Sequence, residues 1–168
     1  MENWPEFRPN ELLRRLVTHG VDFVVIGGVA MVLQGYERNT NDLDIVYATD
    51  AANLEALGRA MVELGARLRG VADDVPFVPD ARRLAQMSIL TLDSDEGRID
   101  LLVAPPGSPA YARLRERAQR ITASGIAILV ASLDDLESMK RAAGRPKDLI
   151  DLEAIEVIRR VRRQTGRN

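Results

Sequence analysis

The chain has 168 residues, of which 46% are hydrophobic and 29% are charged, a balance typical of one globular domain rather than of a disordered or fibrous chain. It contains no cysteine, which excludes disulfides, thiolate metal sites and a cysteine nucleophile and is typical of the reducing cytoplasm. The formal net charge is -2, and the sequence shows neither an apolar export segment nor a stretch of membrane-spanning length, so neither secretion nor membrane insertion is predicted.

Helix and strand signals alternate along the first third of the chain. Asn10 is predicted to cap a helix that ends at Gly20. The run VDFVVIGG is predicted to be a buried strand broken by its two glycines, and the run AMVLQG is predicted to form a short helix after it. The run DLDIVY alternates acidic and aliphatic residues, which indicates a second strand with different side chains on its two faces.

The middle of the chain combines one long helix with a predicted hairpin. Amphipathic spacing predicts a helix from Asp50 to Leu64, and a strand candidate lies near Ala66 to Leu68. The stretch VADDVPFVPDARR is rich in proline and carries no clear helix or strand pattern. The run QMSILTLDSDEGRIDLLV has two apolar segments around turn-forming residues, which predicts a hairpin with Asp100 in its second strand.

The last third of the chain is predicted to be mainly helical, with one further strand. The predicted elements, in order, are a helix from Ser108 to Arg117, a strand at GIAILVAS, a helix from Leu133 to Ala143 with Ser132 as its N-cap and Gly144 at its end, and a helix from Lys147 to Gln164 after Pro146. The whole order predicts a single α/β (α+β) domain over residues 1–168, with a core to about residue 105 and a mainly helical part from 106 to 168.

Two aspartates on the second predicted strand are the first candidate site residues. Asp42 and Asp44 lie at i and i+2, so they share one face of the strand with their β-carbons about 7 Å apart. That separation suits two carboxylates that share a divalent cation. The same spacing also occurs on ordinary solvent-facing strands, so the pair alone does not decide between the two interpretations.

Two further features support a site near this pair. Gly27 and Gly28 follow a buried strand and precede a helix, where unhindered backbone N–H groups can receive a phosphate. A tight turn between a strand and a helix is the alternative reason for two glycines. Asp100 lies between apolar neighbours in RIDLLV, where a buried carboxylate needs a partner such as a shared metal ion, although an edge strand facing water would also accept it.

The run IGGVAMVLQGYERNTNDLDIV resembles the signature of the DNA polymerase β-like nucleotidyltransferase superfamily. That signature has a hydrophobic residue, a glycine, a second glycine or serine, a spacer, an acid-hydrophobic-acid triplet and a third acid on a later strand. The resemblance implies a nucleotidyltransferase fold with a mixed central sheet flanked by helices, an NTP substrate and Mg²⁺, with Mn²⁺ as an alternative. It implies the following roles: metal ligands Asp42 and Asp44, third carboxylate Asp100, and a loop under the triphosphate at Gly27 and Gly28.

The run KRAAGRPKDLIDLEAI resembles a late motif of AbiEii-type nucleotidyltransferases, which are toxin components of abortive-infection and toxin–antitoxin pairs. Some relatives of that type transfer nucleotides to the 3′ end of tRNA. The resemblance therefore implies a tRNA acceptor, a cognate antitoxin partner and a catalytic, phosphate-binding role for Lys140. By the same resemblance, the nucleotide site also includes Arg38, Thr40, Arg145, Lys147 and Asp148, and Asp151 matches the last acid of the motif. Gly28 departs from the serine of many relatives, so a hydroxyl contact to phosphate is missing.

The acceptor stays open at the level of the sequence. Clusters of arginine at residues 113–120 and 159–167 are either solvated helix faces or contacts to RNA phosphates, while aromatic residues for base stacking are only 4% of the chain. Alternatives to an RNA acceptor are a small molecule or a protein. A non-catalytic nucleotide-binding partner with the same fold is the third hypothesis, and the intact acidic residues argue against it.

Overall fold

The computed structural model describes residues 5–72 and 75–167. Its helices are α1 (Pro9–Thr18), α2 (Gly27–Leu33), α3 (Ala51–Glu63), α4 (Ala81–Gln86), α5 (Tyr111–Arg117), α6 (Leu133–Ala143) and α7 (Pro146–Thr165). Its strands are β1 (Phe23–Ile26), β2 (Asp42–Tyr47), β3 (Arg67–Leu68), β4 (Ile89–Ser94), β5 (Gly97–Leu102), β6 (Gln119–Ala123) and β7 (Ile126–Val130). The predicted mixture of helices and strands is confirmed.

All of these strands belong to one mixed sheet in the order β3-β4-β5-β2-β1-β7-β6. The pairs β1–β2, β3–β4, β4–β5 and β6–β7 are antiparallel, whereas β2–β5 and β1–β7 are parallel. Strand β2 therefore lies between the strand that precedes the glycine pair and the strand that carries Asp100. Its parallel pairing with β5 places Asp44 opposite Asp100.

The core consists mainly of aliphatic side chains between the sheet and its helices. Every residue of β1 is buried, and on β2 the aliphatic residues Leu43 and Ile45 are fully buried while the aspartates between them are not. This alternation follows from the period of two in a strand. On α3, which Asp50 caps through a 3.0 Å hydrogen bond from the Asn53 backbone N–H, the buried side chains recur at helical spacing.

Four features of the structure differ from the sequence-based expectations. Helix α1 begins at Pro9, and Asn10 is not its N-cap, because Arg8 occupies that position without a side-chain cap. Proline suits this place, since the first N–H groups of a helix have no partner within the helix. Helix α2 begins at Gly27 rather than after the glycine pair. The stretch without an assigned element contains α4, capped by Asp80, and β6 was not predicted at all.

The strands β6 and β7 lie within the part of the chain that was predicted to be mainly helical. They form a hairpin that extends the sheet at its β1 edge, while α6 and α7 pack against each other. The division of the domain near residue 105 stays a prediction. Among the described residues, no helix combines the length and the apolar character that crossing a bilayer requires. Residues 1–4 lie outside the described residues, as do residues 73 and 74 of the proline-rich stretch VADDVPFVPDARR.

Candidate active site

Three aspartates meet at one end of the central strands. Asp42 and Asp44 project from β2, and Asp100 projects from the neighbouring strand β5 in register with Asp44. One carboxylate oxygen from each of the three lies within 4.8 Å of the others, and all three side chains are partly buried. The convergence that the resemblance implied for these residues is therefore present in the structure.

The electrostatics of Asp44 show that this cluster holds an excess of negative charge. Burial, followed by repulsion from Asp42 and from Asp100, raises the pKa of Asp44 from 3.8 to about 7, although Lys140 and Lys147 act in the opposite direction. A divalent cation would offset this repulsion and would supply the partner that a buried carboxylate needs. Carboxylate oxygens are the ligands that Mg²⁺ and Mn²⁺ prefer, so the three aspartates fit such an ion.

The glycine pair leaves room for the carboxylates and for the residues before them. Gly27 has a φ of +68°, and a β-carbon added to it would lie 2.1 Å from Oδ2 of Asp44. A β-carbon on Gly28 would lie 2.7 Å from Oγ1 of Thr40. The hydroxyl of Thr40 in turn donates a 3.2 Å hydrogen bond to the backbone carbonyl of Asp42. Both glycines are therefore required by close approach, and Gly27 also by its backbone conformation.

A substitution tests this close approach directly. Gly27→Ala is expected to displace the Asp44 carboxylate, because the new methyl group and Oδ2 cannot occupy the same space, and so to abolish stabilisation of the protein by Mg²⁺. Gly20→Ala is the matched control, since Gly20 has a φ of +70° but nothing within 4 Å of its added β-carbon. Both variants carry the backbone cost of roughly 1–2 kcal/mol, so only the difference between them reports the collision. The measurement is the rise in melting temperature that MgCl₂ causes in each variant. An equal rise in the two variants would contradict the steric argument.

A chain of ion pairs forms the opposite wall of the site. Asp151 accepts from Nη1 of Arg38, with both oxygens at 2.5 Å, and lies 2.6 Å from Nζ of Lys140. Asp148 lies 3.5 Å from Nζ of Lys140 and accepts from Arg145, whose Nε is 2.8 Å away. These pairs hold cationic side chains from three segments of the chain in one place.

Both acids of this wall are buried, with Asp148 0% and Asp151 2% exposed. Burial disfavours the charge of Asp148, but the hydrogen bonds from the side chain and the backbone of Arg145 outweigh it, so that the pKa of Asp148 lies below its usual value. Asp148 was implied to belong to the nucleotide site, but neither Asp148 nor Asp151 lines the cleft. Both acids lie behind its wall and contact the cations that line it.

The carboxylates and the cations face each other across a cleft of about 420 Å³. Its polar lining brings together the predicted residues Gly27, Gly28, Arg38, Thr40, Asp42, Asp44, Asp100, Lys140, Arg145 and Lys147. Sequence reasoning missed its apolar wall, which includes Leu102, Pro105, Pro106, Leu136 and Met139. The two adjacent prolines were the one local signal that could have indicated an exposed rigid surface next to β5.

Arg69 is the second feature that the sequence did not reveal. It follows the short edge strand β3, and its Nη2 donates to Oδ1 of Asp100 at 2.7 Å and to the carbonyl of Leu92 at 2.9 Å. Burial raises the pKa of Asp100, while Arg69 acts to lower it. The structure thus pairs the third carboxylate with a cation 31 residues away in the sequence, and no local pattern marks that contact.

Comparisons with known proteins found a matching family model and solved structures of similar fold. A family model described as "Nucleotidyltransferase of unknown function (DUF6036)" matches residues 10–164. A solved structure of ANT(2″)-Ia in complex with adenylyl-2″-tobramycin is 14% identical, with a TM-score of 0.56 over 94% of this chain and 96% of that one. A Thermotoga maritima protein described as "a putative nucleotidyltransferase" is 16% identical over the full length of both chains, with a TM-score of 0.49. A search of curated proteins found no match.

Proposed function

We propose that this chain, which belongs to the DUF6036 family of nucleotidyltransferases, transfers a nucleoside monophosphate from an NTP to a hydroxyl group at the 3′ end of an RNA, with tRNA as the favoured acceptor. The observation that carries the proposal is the meeting of three carboxylates with a cationic wall across one cleft. The carboxylates suit a divalent cation, and the cations suit the phosphates of the nucleotide.

The proposed reaction makes one phosphorus–oxygen bond and breaks another. The acceptor hydroxyl oxygen bonds to the α-phosphorus, the bond from that phosphorus to the β-phosphate oxygen breaks, and pyrophosphate leaves. Asp100 is the proposed acceptor of the hydroxyl proton, because it is the carboxylate that β5 brings to the aspartate pair of β2 and burial raises its pKa. Mg²⁺, held by Asp42, Asp44 and Asp100, would supply positive charge that activates the hydroxyl and stabilises the charge on the phosphates.

The residues of the opposite wall have complementary proposed roles. Lys140 and Arg38 neutralise the leaving phosphates, and Asp151 holds both of these side chains toward the cleft. Asp148 positions Arg145 in the same way. Gly27 and Gly28 allow the triphosphate to approach the backbone at the start of α2.

The charges that line the cleft argue against a cationic acceptor. Four cations line the cleft, and the carboxylates of its lining are the three aspartates proposed to hold the metal ion. ANT(2″)-Ia, whose structure contains adenylyl-2″-tobramycin, prompts the alternative that this chain also modifies a small polycationic molecule. Such an acceptor needs further carboxylates to receive its ammonium groups, and the lining of this cleft supplies none beyond the three aspartates.

Incubation of the protein with each labelled NTP, Mg²⁺ and total RNA, followed by gel electrophoresis, tests the proposal. Label is expected to move into an RNA band of tRNA size in the presence of Mg²⁺ and to disappear with EDTA. Asp42→Asn is the matched control for a contaminating enzyme and is expected to leave the RNA unlabelled. If label enters a protein or an antibiotic and no RNA, the acceptor is one of the alternatives and not RNA.

The salt dependence of the reaction separates RNA from small acceptors. Binding of RNA to several cationic side chains releases counterions, so the apparent affinity for RNA is expected to fall by roughly a hundredfold or more between about 50 and 200 mM salt. The KM for the NTP, measured in the same series, serves as the internal reference. An acceptor KM that stays constant across the series would count against an RNA that contacts several cations.

The AbiEii-like late motif extends the proposal to a biological role as the toxin of a toxin–antitoxin pair, with a cognate antitoxin protein as partner. Modification of tRNA 3′ ends would block aminoacylation and so arrest growth. Expression of the protein is therefore expected to inhibit growth, and expression of Asp42→Ala at the same level is not. Equal growth of cells that express either protein would contradict the toxin role and leave a transferase without toxicity.

A further inference from the structure

A second and larger cavity lies on another face of the molecule. This groove, of about 830 Å³, is bounded by the C-terminal half of α7, by the first residues of β6 and by the turn after α2. Its lining shares no residue with the lining of the catalytic cleft. The proposed nucleotidyl transfer makes no use of this groove.

One continuous stripe of α7 forms the long wall of the groove. Its members recur three and four residues apart, at Ala154, Val157, Ile158, Val161, Arg162 and Thr165. Val157 is 55% exposed and Val161 is 50% exposed, although both are apolar. An apolar stripe next to the buried face of a helix, at helical spacing, is typical of a surface that a second peptide segment covers.

A further apolar side chain lies on the part of the groove formed by the sheet. Ile121 of β6 lines the groove together with the stripe of α7. An amphipathic helix in the groove would therefore contact aliphatic side chains of both elements.

The charge of the groove indicates that a peptide segment bound there would be acidic. Arg120, Arg162 and Arg167 line it, and no carboxylate does so. Arg162 is fixed there by hydrogen bonds from its Nη2 to the Gln34 backbone carbonyl at 3.1 Å and to Gln34 Oε1 at 2.6 Å. By contrast, Arg115, Arg117 and Arg159 lie in ion pairs with acids of this chain. Within the described residues, the arginines of the groove face no carboxylate of this chain in its lining, so their charge is available to a partner.

We infer that this groove binds an acidic amphipathic segment of a partner protein, with aliphatic side chains on the Val157–Val161 stripe and carboxylates against the arginines. The apolar stripe favours a protein over a nucleic acid, whose phosphates would contact the arginines but would gain nothing from two exposed valines. The inference does not depend on the proposed chemistry.

A designed peptide serves as the probe. The wall from Ala154 to Thr165 is about 16 Å long, so a fluorescent helical peptide of about 14 residues, with leucine at positions three and four apart and glutamate between them, spans it. Its anisotropy is measured with the full chain and in parallel with a peptide in which lysine replaces every glutamate. Val161→Asp and Arg120→Glu are each expected to weaken binding of the acidic peptide by roughly tenfold or more. The matched controls are Val62→Asp, at an exposed valine of α3, and Arg82→Glu, on α4, and neither is expected to change it.

Other outcomes would overturn the inference. These are a failure of the acidic peptide to bind, equal binding of the lysine peptide, or equal losses in the α3 and α4 controls. Self-association in analytical ultracentrifugation that Val161→Asp abolishes would replace the partner with a second copy of this chain. If the groove binds tRNA, and this binding is lost in Arg120→Glu but kept in Val161→Asp, its ligand is RNA rather than a partner protein. Melting curves with and without Mg²⁺ verify that each variant is folded.

Discussion

Replacement of Asp44 by asparagine is expected to reduce nucleotidyl transfer by roughly 10²–10³-fold and, at the same time, to stabilise the metal-free protein. The first effect arises because one of the three proposed metal ligands is lost. The second arises because burial and two neighbouring aspartates make the negative charge of Asp44 unfavourable in the folded state. A single substitution that removes activity and raises stability is characteristic of a functional carboxylate.

The pH dependence of the second effect results from the raised pKa. In the unfolded chain Asp44 loses its proton near 3.8, whereas in the folded protein it does so near 7. The cost of its charge is therefore absent below pH 4, grows as the pH rises and is complete above 7. In EDTA, the melting temperature of Asp44→Asn is expected to exceed that of the parent by on the order of 10 °C at pH 8 and to be close to it at pH 4.

Mg²⁺ should reverse the order of stability, because it stabilises the parent and not the variant. Glu37→Gln, at an exposed carboxylate in the loop before β2, is the control and is expected to change neither activity nor stability. Transfer at the parental rate by Asp44→Asn would contradict the proposed metal site. A variant that melts below the parent in EDTA at pH 8 would contradict the account of repulsion among the aspartates.

Among the substitutions proposed for this protein, Lys140→Met is expected to cause the largest loss of stability. The Lys140 side chain is buried between the carboxylates of Asp148 and Asp151, and methionine keeps much of its volume while removing its charge. Removal of one partner of a buried ion pair costs about 3–5 kcal/mol, so the melting temperature should fall by on the order of 10 °C. Lys147→Met is the matched control, because Lys147 lines the same cleft but is exposed, and it is expected to change stability little.

A double-variant cycle separates loss of the ion pair from loss of packing. If the cost of Lys140→Met comes from loss of its ion pair with Asp151, which then keeps only Arg38 as a partner, the double variant Lys140→Met/Asp151→Asn should lose less free energy of unfolding than the sum of the two single variants. Chemical denaturation of the four proteins measures these free energies. Additive losses would show that Lys140 and Asp151 act independently, against their 2.6 Å contact.

The part of the site that the sequence could predict is the part encoded by local pattern. The alternation of DLDIVY places the aspartates on one face, and the predicted limits of β2 coincide with the observed Asp42–Tyr47. The glycine pair and the hairpin around Asp100 are equally local signals, and the parallel pairing of β2 with β5 brings them to the same place. These features are predictable because side chains alternate between the two faces of a strand.

The remainder depends on contacts between distant segments. Arg38 and Asp151 are 113 residues apart, so neither neighbourhood shows that the two form an ion pair. From the sequence alone, an acidic residue near the start of a helix is expected to lie on the surface. In the structure, Asp148 and Asp151 are buried because cationic side chains from distant segments pair with them. Strand β6 was missed because QRITA is short and mostly polar, and it becomes a strand by pairing with β7.

The ion pairs of α7 have a consequence for the order in which the protein becomes active during its synthesis. Arg38 and Lys140 are made before residues 148 and 151, which hold both cations in the cleft. A ribosome-bound chain that has not yet released this helix therefore carries the aspartates of β2 and β5 without an anchored cationic wall opposite them. We therefore expect nucleotidyl transfer only from chains in which α7 has been made and packed, and a chain truncated before Asp148 should be inactive.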